Sequence, residues 1–142
     1  MRSRALQNSA SARGLRNMNM ETTTLFRPVG TKELALIEAA DNRAFPPRLS
    51  DQPIFYPVMN EGYARQIAKD WNSRLNDDRE GYVTRFAVRK DVADQYGKEV
   101  VGAREHEELW VPAEELDAFN AAIVGEIEVI AKFANDELVW EA

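Results

Sequence analysis

The run Arg104-Glu105-His106-Glu107-Glu108-Leu109-Trp110-Val111-Pro112 places three acids and the chain's one histidine against an apolar segment that a proline closes. Read as a strand, its side chains alternate. His106, Glu108 and Trp110 then share one face, while Glu105, Glu107, Leu109 and Val111 share the other, with Leu109 and Val111 toward the core. An imidazole, a carboxylate and an indole side by side on the outer face make a candidate site where a plain edge strand would carry Thr or Lys.

Working outward, Pro112 suits a helix start, where its missing N–H is not needed, and Glu114 and Glu115 favour the positive end of that helix. Leu116, Phe119 and Ile123 are its inward positions, and Gly125 is expected to break it before a strand at Ile127–Ile130. Upstream, residues 23–29 (TTLFRPV) read as a strand carrying Arg27, and Thr31 as the cap of a short helix with Leu34, Ile37 and Ala40 inward. Phe45-Pro46-Pro47-Arg48 excludes helix interior, and Ile54-Phe55-Tyr56-Pro57-Val58 reads as an edge or site-lining segment bracketed by prolines. Asn60 caps a helix reaching about Leu75, with Tyr63, Ile67, Trp71 and Leu75 as its core stripe. Tyr82–Val88 is a strand with Tyr82, Thr84 and Phe86 on one face, Asp91–Tyr96 a single turn of helix ended by Gly97, and Val100–Val111 extended chain. Strands and short helices joined by turns rather than long crossovers predict an α+β domain with a mainly antiparallel or mixed sheet.

The 142 residues carry no internal repeat and suit one domain. Residues 1–22 are expected to be a disordered N-terminal extension and residues 23–142 the folded body. Arg2, Arg4, Arg13 and Arg16 stand in residues 1–20 without an acid, leaving 14 basic and 24 acidic side chains, a net of −10, in the remaining 122 residues. So acidic a body repels a phosphate backbone, which argues against general nucleic-acid binding. No run approaches the roughly 20 apolar residues of a membrane span. The absence of cysteine removes thiolate nucleophiles and thiolate zinc sites and fits a cytoplasmic setting, and with a single histidine no metal is expected.

The segments LFRPVG, AFPPRLSDQPIFYPVMNEGYARQIAKDWN, GYVTRF and REHEELWVPAEELDAFNAAIVGEIEVI together resemble a family of small bacterial proteins labelled "ADP-ribosylation/crystallin J1", over about residues 24–130. More distantly, the order Arg27 in LFRPV, Phe55-Tyr56 in IFYPV and Glu108 in HEELWVP resembles the ADP-ribosyltransferase fold. There, a first-strand Arg or His holds NAD, a middle strand carries an aromatic or Ser-Thr-Ser segment, and a late strand carries the catalytic Glu. Ser-Thr-Ser is absent here, and His106 stands where many transferases have Glu or Gln. The resemblance implies NAD as substrate, Glu108 and His106 as catalytic residues, and Arg27, Phe55, Tyr56 and Trp110 as its binding residues, with a protein acceptor or water completing the reaction.

Each assignment has a plainer counterpart. Glu108 is either the anion that stabilises an oxocarbenium-like transition state or a solvated acid. Arg27 is either a phosphate-binding fork or half of an ion pair, and Phe55 and Tyr56 either stack on nicotinamide or stiffen a loop. His106 suits acid–base work near neutrality. The alternative function is a small acidic binding or regulatory protein of the immunity type, covering a basic partner surface.

Overall fold

Period-two burial builds the sheet. In the computed structural model, which describes residues 21–100 and 107–142 (Val100 by its backbone alone), β1 (Thr22–Val29) buries Leu25, Arg27 and Val29 in alternation. It pairs with β3 (Glu80–Arg89), β3 with β7 (Ile123–Ala134), and β7 with β8 (Glu137–Glu141), all antiparallel, in the order β1-β3-β7-β8. Two further antiparallel pairs are β2 (Ile54–Phe55) with β6 (Val111–Pro112), and β4 (Lys98–Val100) with β5 (Glu107–Leu109). The described residues thus form an α+β domain with antiparallel pairing throughout. The expected extension falls mainly on residues 1–20, outside the described residues, and β1 begins at Thr22.

One core lies between the sheet and α1 (Thr31–Ala39), α5 (Leu116–Ala121) and the β2–β6 pair, with Leu25, Phe86, Phe45, Phe55, Leu109, Val111 and Phe119 packed together. A smaller core, with Val58, Val83, Ile130 and Phe133, is covered by α2 (Glu61–Ile67). That helix runs on through a π-helical stretch (Ala68–Asn72) into α3 (Ser73–Leu75). As predicted, Asn60 caps it, its side chain accepting from Tyr63 N–H at 3.0 Å.

The predicted core stripe of this helix is overturned beyond its first turns. Trp71 and Leu75 are 62% and 63% exposed, and the buried positions are Ala64, Ala68 and Ser73. The cause is close approach. A Cβ on Gly81 of β3 would lie 2.6 Å from the Ala68 carbonyl oxygen and 2.5 Å from Asn72 Cβ, so only small side chains fit between helix and sheet.

Other expectations shift locally. Gly30, not Thr31, is the N-cap of α1, and the Thr31 hydroxyl donates to Asp78 at 2.5 Å. Ile123 already belongs to β7, and Gly125 lies within that strand at φ 79°. It marks a bulge between the Ala87–Val124 and Arg85–Glu128 pairs. α4 (Lys90–Ala93) follows β3. β8 had no counterpart in the sequence reading. It closes on β7 through Asn135 and Asp136, both at positive φ, the conformation of a two-residue type I′ hairpin.

Candidate functional site

Prolines decide where the strands part. Phe26 and Val58 exchange both backbone hydrogen bonds, at 2.9 and 2.8 Å. In an antiparallel ladder the next such pair would be Pro28 and Tyr56. Pro28 has no N–H to donate, so the ladder ends, and the Tyr56 carbonyl instead accepts a long 3.4 Å bond from Arg27 Nη1. On the other side of Val58, Leu109 N–H donates to Pro57 O and Met59 N–H to Glu107 O. These bonds bring Glu108 beside Val58. Where the strands diverge, a cleft of about 320 Å³ opens, with Arg27, Arg48, Tyr56 and Glu108 as its polar lining and Val58 and Ile67 as apolar wall.

Glu108 is held at both oxygens. The Tyr63 hydroxyl donates to Oε2 at 2.8 Å and Trp110 Nε1 to Oε1 at 3.0 Å, while Leu109 and Val111 go into the core on the opposite face, as the alternation predicts. Burial and then the bond to Glu108 push the Tyr63 phenol up to about 12. Tyr63, read from the sequence as part of the stripe, is therefore also a site residue. Tyr56 and Trp110 are partly exposed at the rim, edge to face at 5.8 Å and 87°.

Arg27 is nearly buried, and its fork is engaged. Nε and Nη2 donate to the two Glu33 oxygens at 2.7 and 3.0 Å, and its guanidinium carbon stands 4.7 Å from the centre of the Phe55 ring. Phe55 does not line the cleft. β2–β6 pairing turns its ring into the core against Phe45 and Phe119, leaving it fully buried, so it supports the arginine from beneath and offers no face for stacking on a ligand. His106 lies outside the described residues.

Arg48 is the polar lining residue that the sequence reading passed over. Pro46 and Pro47 stiffen the chain that delivers it, and its guanidinium carbon lies 5.8 Å from the same Phe55 ring. Burial, then the charge of Arg27, lower its pKa from the ordinary arginine value, against a raising effect of Glu33. Its position depends on the return of the chain toward β2, so the local sign was only an arginine after two prolines.

The cleft therefore sets a fixed carboxylate and an aromatic rim against two guanidiniums on an apolar floor. Such a site can hold a ligand with anionic groups near the arginines and a centre of developing positive charge near Glu108. Searches against family models, curated proteins and solved structures find no match to this chain.

Proposed function

We propose that the chain is an NAD-dependent ADP-ribosyltransferase-like protein with a minimal transferase-like fold, cleaving the nicotinamide–ribose bond and passing ADP-ribose to a protein acceptor or to water. The observation that carries this reading is the shared cleft of Arg27 and Glu108, two residues distant in sequence, with Glu108 fixed at both oxygens. The order of LFRPV, IFYPV and HEELWVP supports it by resemblance.

In the proposed reaction the C1′–N bond breaks and its electron pair leaves with nicotinamide. The positive charge left on the ribose lies against the Glu108 carboxylate, a preorganised anion that needs no rearrangement as the charge develops. Water or an acceptor side chain then adds at C1′ and loses its proton. Tyr56 and Trp110 supply aromatic surface for the nicotinamide at the rim. Arg27 Nη1, whose bond to the Tyr56 carbonyl is long, is the donor on that guanidinium best placed to turn to a ligand oxygen.

The test is nicotinamide release from NAD by the purified protein. Glu108→Gln keeps the size of the side chain and removes the charge, so release is expected to fall by roughly 10²-fold. Release by the wild type no faster than a protein-free blank, across candidate acceptors, would end this reading. The second reading, a small acidic binding protein, draws on β8, where Leu138, Val139 and Trp140 are all exposed on an edge strand. It expects partner binding to survive Glu108→Gln.

A further inference from the structure

Two guanidiniums share the Phe55 ring, and their charges are unequally answered. Arg27 has the bidentate Glu33 pair and the Tyr56 carbonyl. Arg48 makes no ion pair or hydrogen bond among the described residues, and its Nε is buried without a partner. A buried donor left unmade is costly, and a second like charge beside it adds to that cost. The Nε itself is closed off, so it is the terminal guanidinium nitrogens that Arg48 offers to a group in the cleft it lines.

We infer that Arg48 is the anion anchor of the cleft and that its ligand group is the diphosphate of a nucleotide. Glu33 answers one of the two guanidiniums and is committed to Arg27 at both oxygens, so Arg48 is left as the cation without a carboxylate partner, in a cleft it shares with Glu108. A guanidinium presents a planar fork of donors that matches phosphate oxygens two at a time. The Phe55 ring, 5.8 Å from the Arg48 guanidinium carbon, takes none of its donors, and the apolar wall at Val58 and Ile67 lowers the local dielectric in which the charge acts. Glu108, held at both oxygens by Tyr63 and Trp110, has its acceptors already engaged and leaves the anion to the arginines. At about 320 Å³ the cleft is near the small end of ligand sites, roughly 300 Å³, so it encloses part of a dinucleotide and leaves the remainder outside.

The inference rests on the nucleotide reading of this cleft but not on bond cleavage. In this division of labour Arg27 is chiefly a positioning residue, holding Glu33 and the Tyr56 segment, and Arg48 makes the phosphate contact.

The experiment uses calorimetric titration of the full chain with ADP, inorganic pyrophosphate and adenosine. ADP and pyrophosphate are expected to bind and adenosine to bind far more weakly. Arg48→Met is expected to weaken ADP by about 30-fold or more, as for a lost bidentate charged contact, and Arg48→Lys by an intermediate factor, since it keeps the charge and loses the fork. Without ligand, Arg48→Met is expected to melt no lower than the wild type, because it removes an unanswered charge, whereas a purely structural arginine would lower the midpoint. ADP affinity unchanged in both variants, or wild-type ADP binding no tighter than adenosine, overturns the inference. ADP binding that depends on Arg48 while NAD is never cleaved supports the anion site and sinks the catalytic reading. NAD cleavage with KM unmoved by Arg48→Met does the reverse.

Discussion

The Tyr63 hydroxyl donates to Glu108 Oε2 at 2.8 Å, tying the first turn of α2 to β5. With Trp110 on the other oxygen, the carboxylate is oriented before any ligand arrives. Tyr63→Phe removes one of these two anchors and keeps the ring. Nicotinamide release is then expected to lose kcat by about tenfold with KM nearly unchanged, a smaller loss than Glu108→Gln, and stability to fall by about 1 kcal/mol, the scale of one hydrogen bond. Equal loss in the two variants would mean that the phenol itself takes part in the chemistry.

The same bond makes stability sensitive to alkali. Tyr63 and Tyr96 are both pushed up to about 12 from an ordinary 10, first by burial and then by hydrogen bonds to Glu108 and Glu115. A group whose folded pKa is raised holds its proton more tightly when folded, so its contribution is complete below about pH 10 and is lost as pH rises through 12. Urea midpoints are therefore expected to fall between pH 9.5 and 11.5, and the fall to be shallower in a Tyr63→Phe, Tyr96→Phe double variant. An equally steep fall in that variant would assign the alkaline loss to other groups.

What the sequence showed and what it hid divide along local and tertiary lines. The strands at β1 and β3, the Asn60 cap, and the common face of Glu108 and Trp110 depend on period-two alternation and on capping, both readable within a few residues. The prolines bracketing residues 54–58 were legible as residues that deny hydrogen bonds, but that Pro28 ends the ladder beside Val58 and leaves the cleft open follows from a pairing between distant segments. β8 was not legible, because all five of its residues are exposed and no alternation marks it. Arg48 was missed because its burial depends on Phe55, which a loop away turns its ring beneath it. Phe55 was assigned to the ligand since its place in the core follows from pairing with Val111, a contact between segments far apart in the chain.

The helix after Asn60 buries its small residues and exposes its large ones. Trp71 and Leu75 follow the helical period yet point to solvent, so Trp71→Ser and Leu75→Ser are expected to change stability by less than about 0.5 kcal/mol each, as surface positions do. Ala64→Leu and Ala68→Leu, which add bulk where no space exists, are expected to cost about 1–3 kcal/mol. Chemical denaturation midpoints measure both. The opposite ranking would restore the large-residue stripe as the buried face.

Gly81 and Gly125 test the close approach of helix and sheet, since they are glycines for different reasons. At Gly81 an added Cβ meets the backbone oxygen of Ala68 at 2.6 Å and the Cβ of Asn72 at 2.5 Å. Neither is the far end of a flexible side chain, so the helix must lift from β3. Gly125 has open space around its missing Cβ but sits at φ 79°, where an alanine is strained by its own backbone. Gly81→Ala is expected to cost about 2–3 kcal/mol through overpacking, and Gly125→Ala about 1 kcal/mol through conformation alone. Lifting the helix also moves Tyr63 away from Glu108, so Gly81→Ala should slow nicotinamide release while Gly125→Ala leaves it unchanged. Stability by urea titration and release rates measured on the same preparations separate the two. A Gly81→Ala protein as stable as the wild type would show that the helix does not rest on the sheet as closely as its small residues imply.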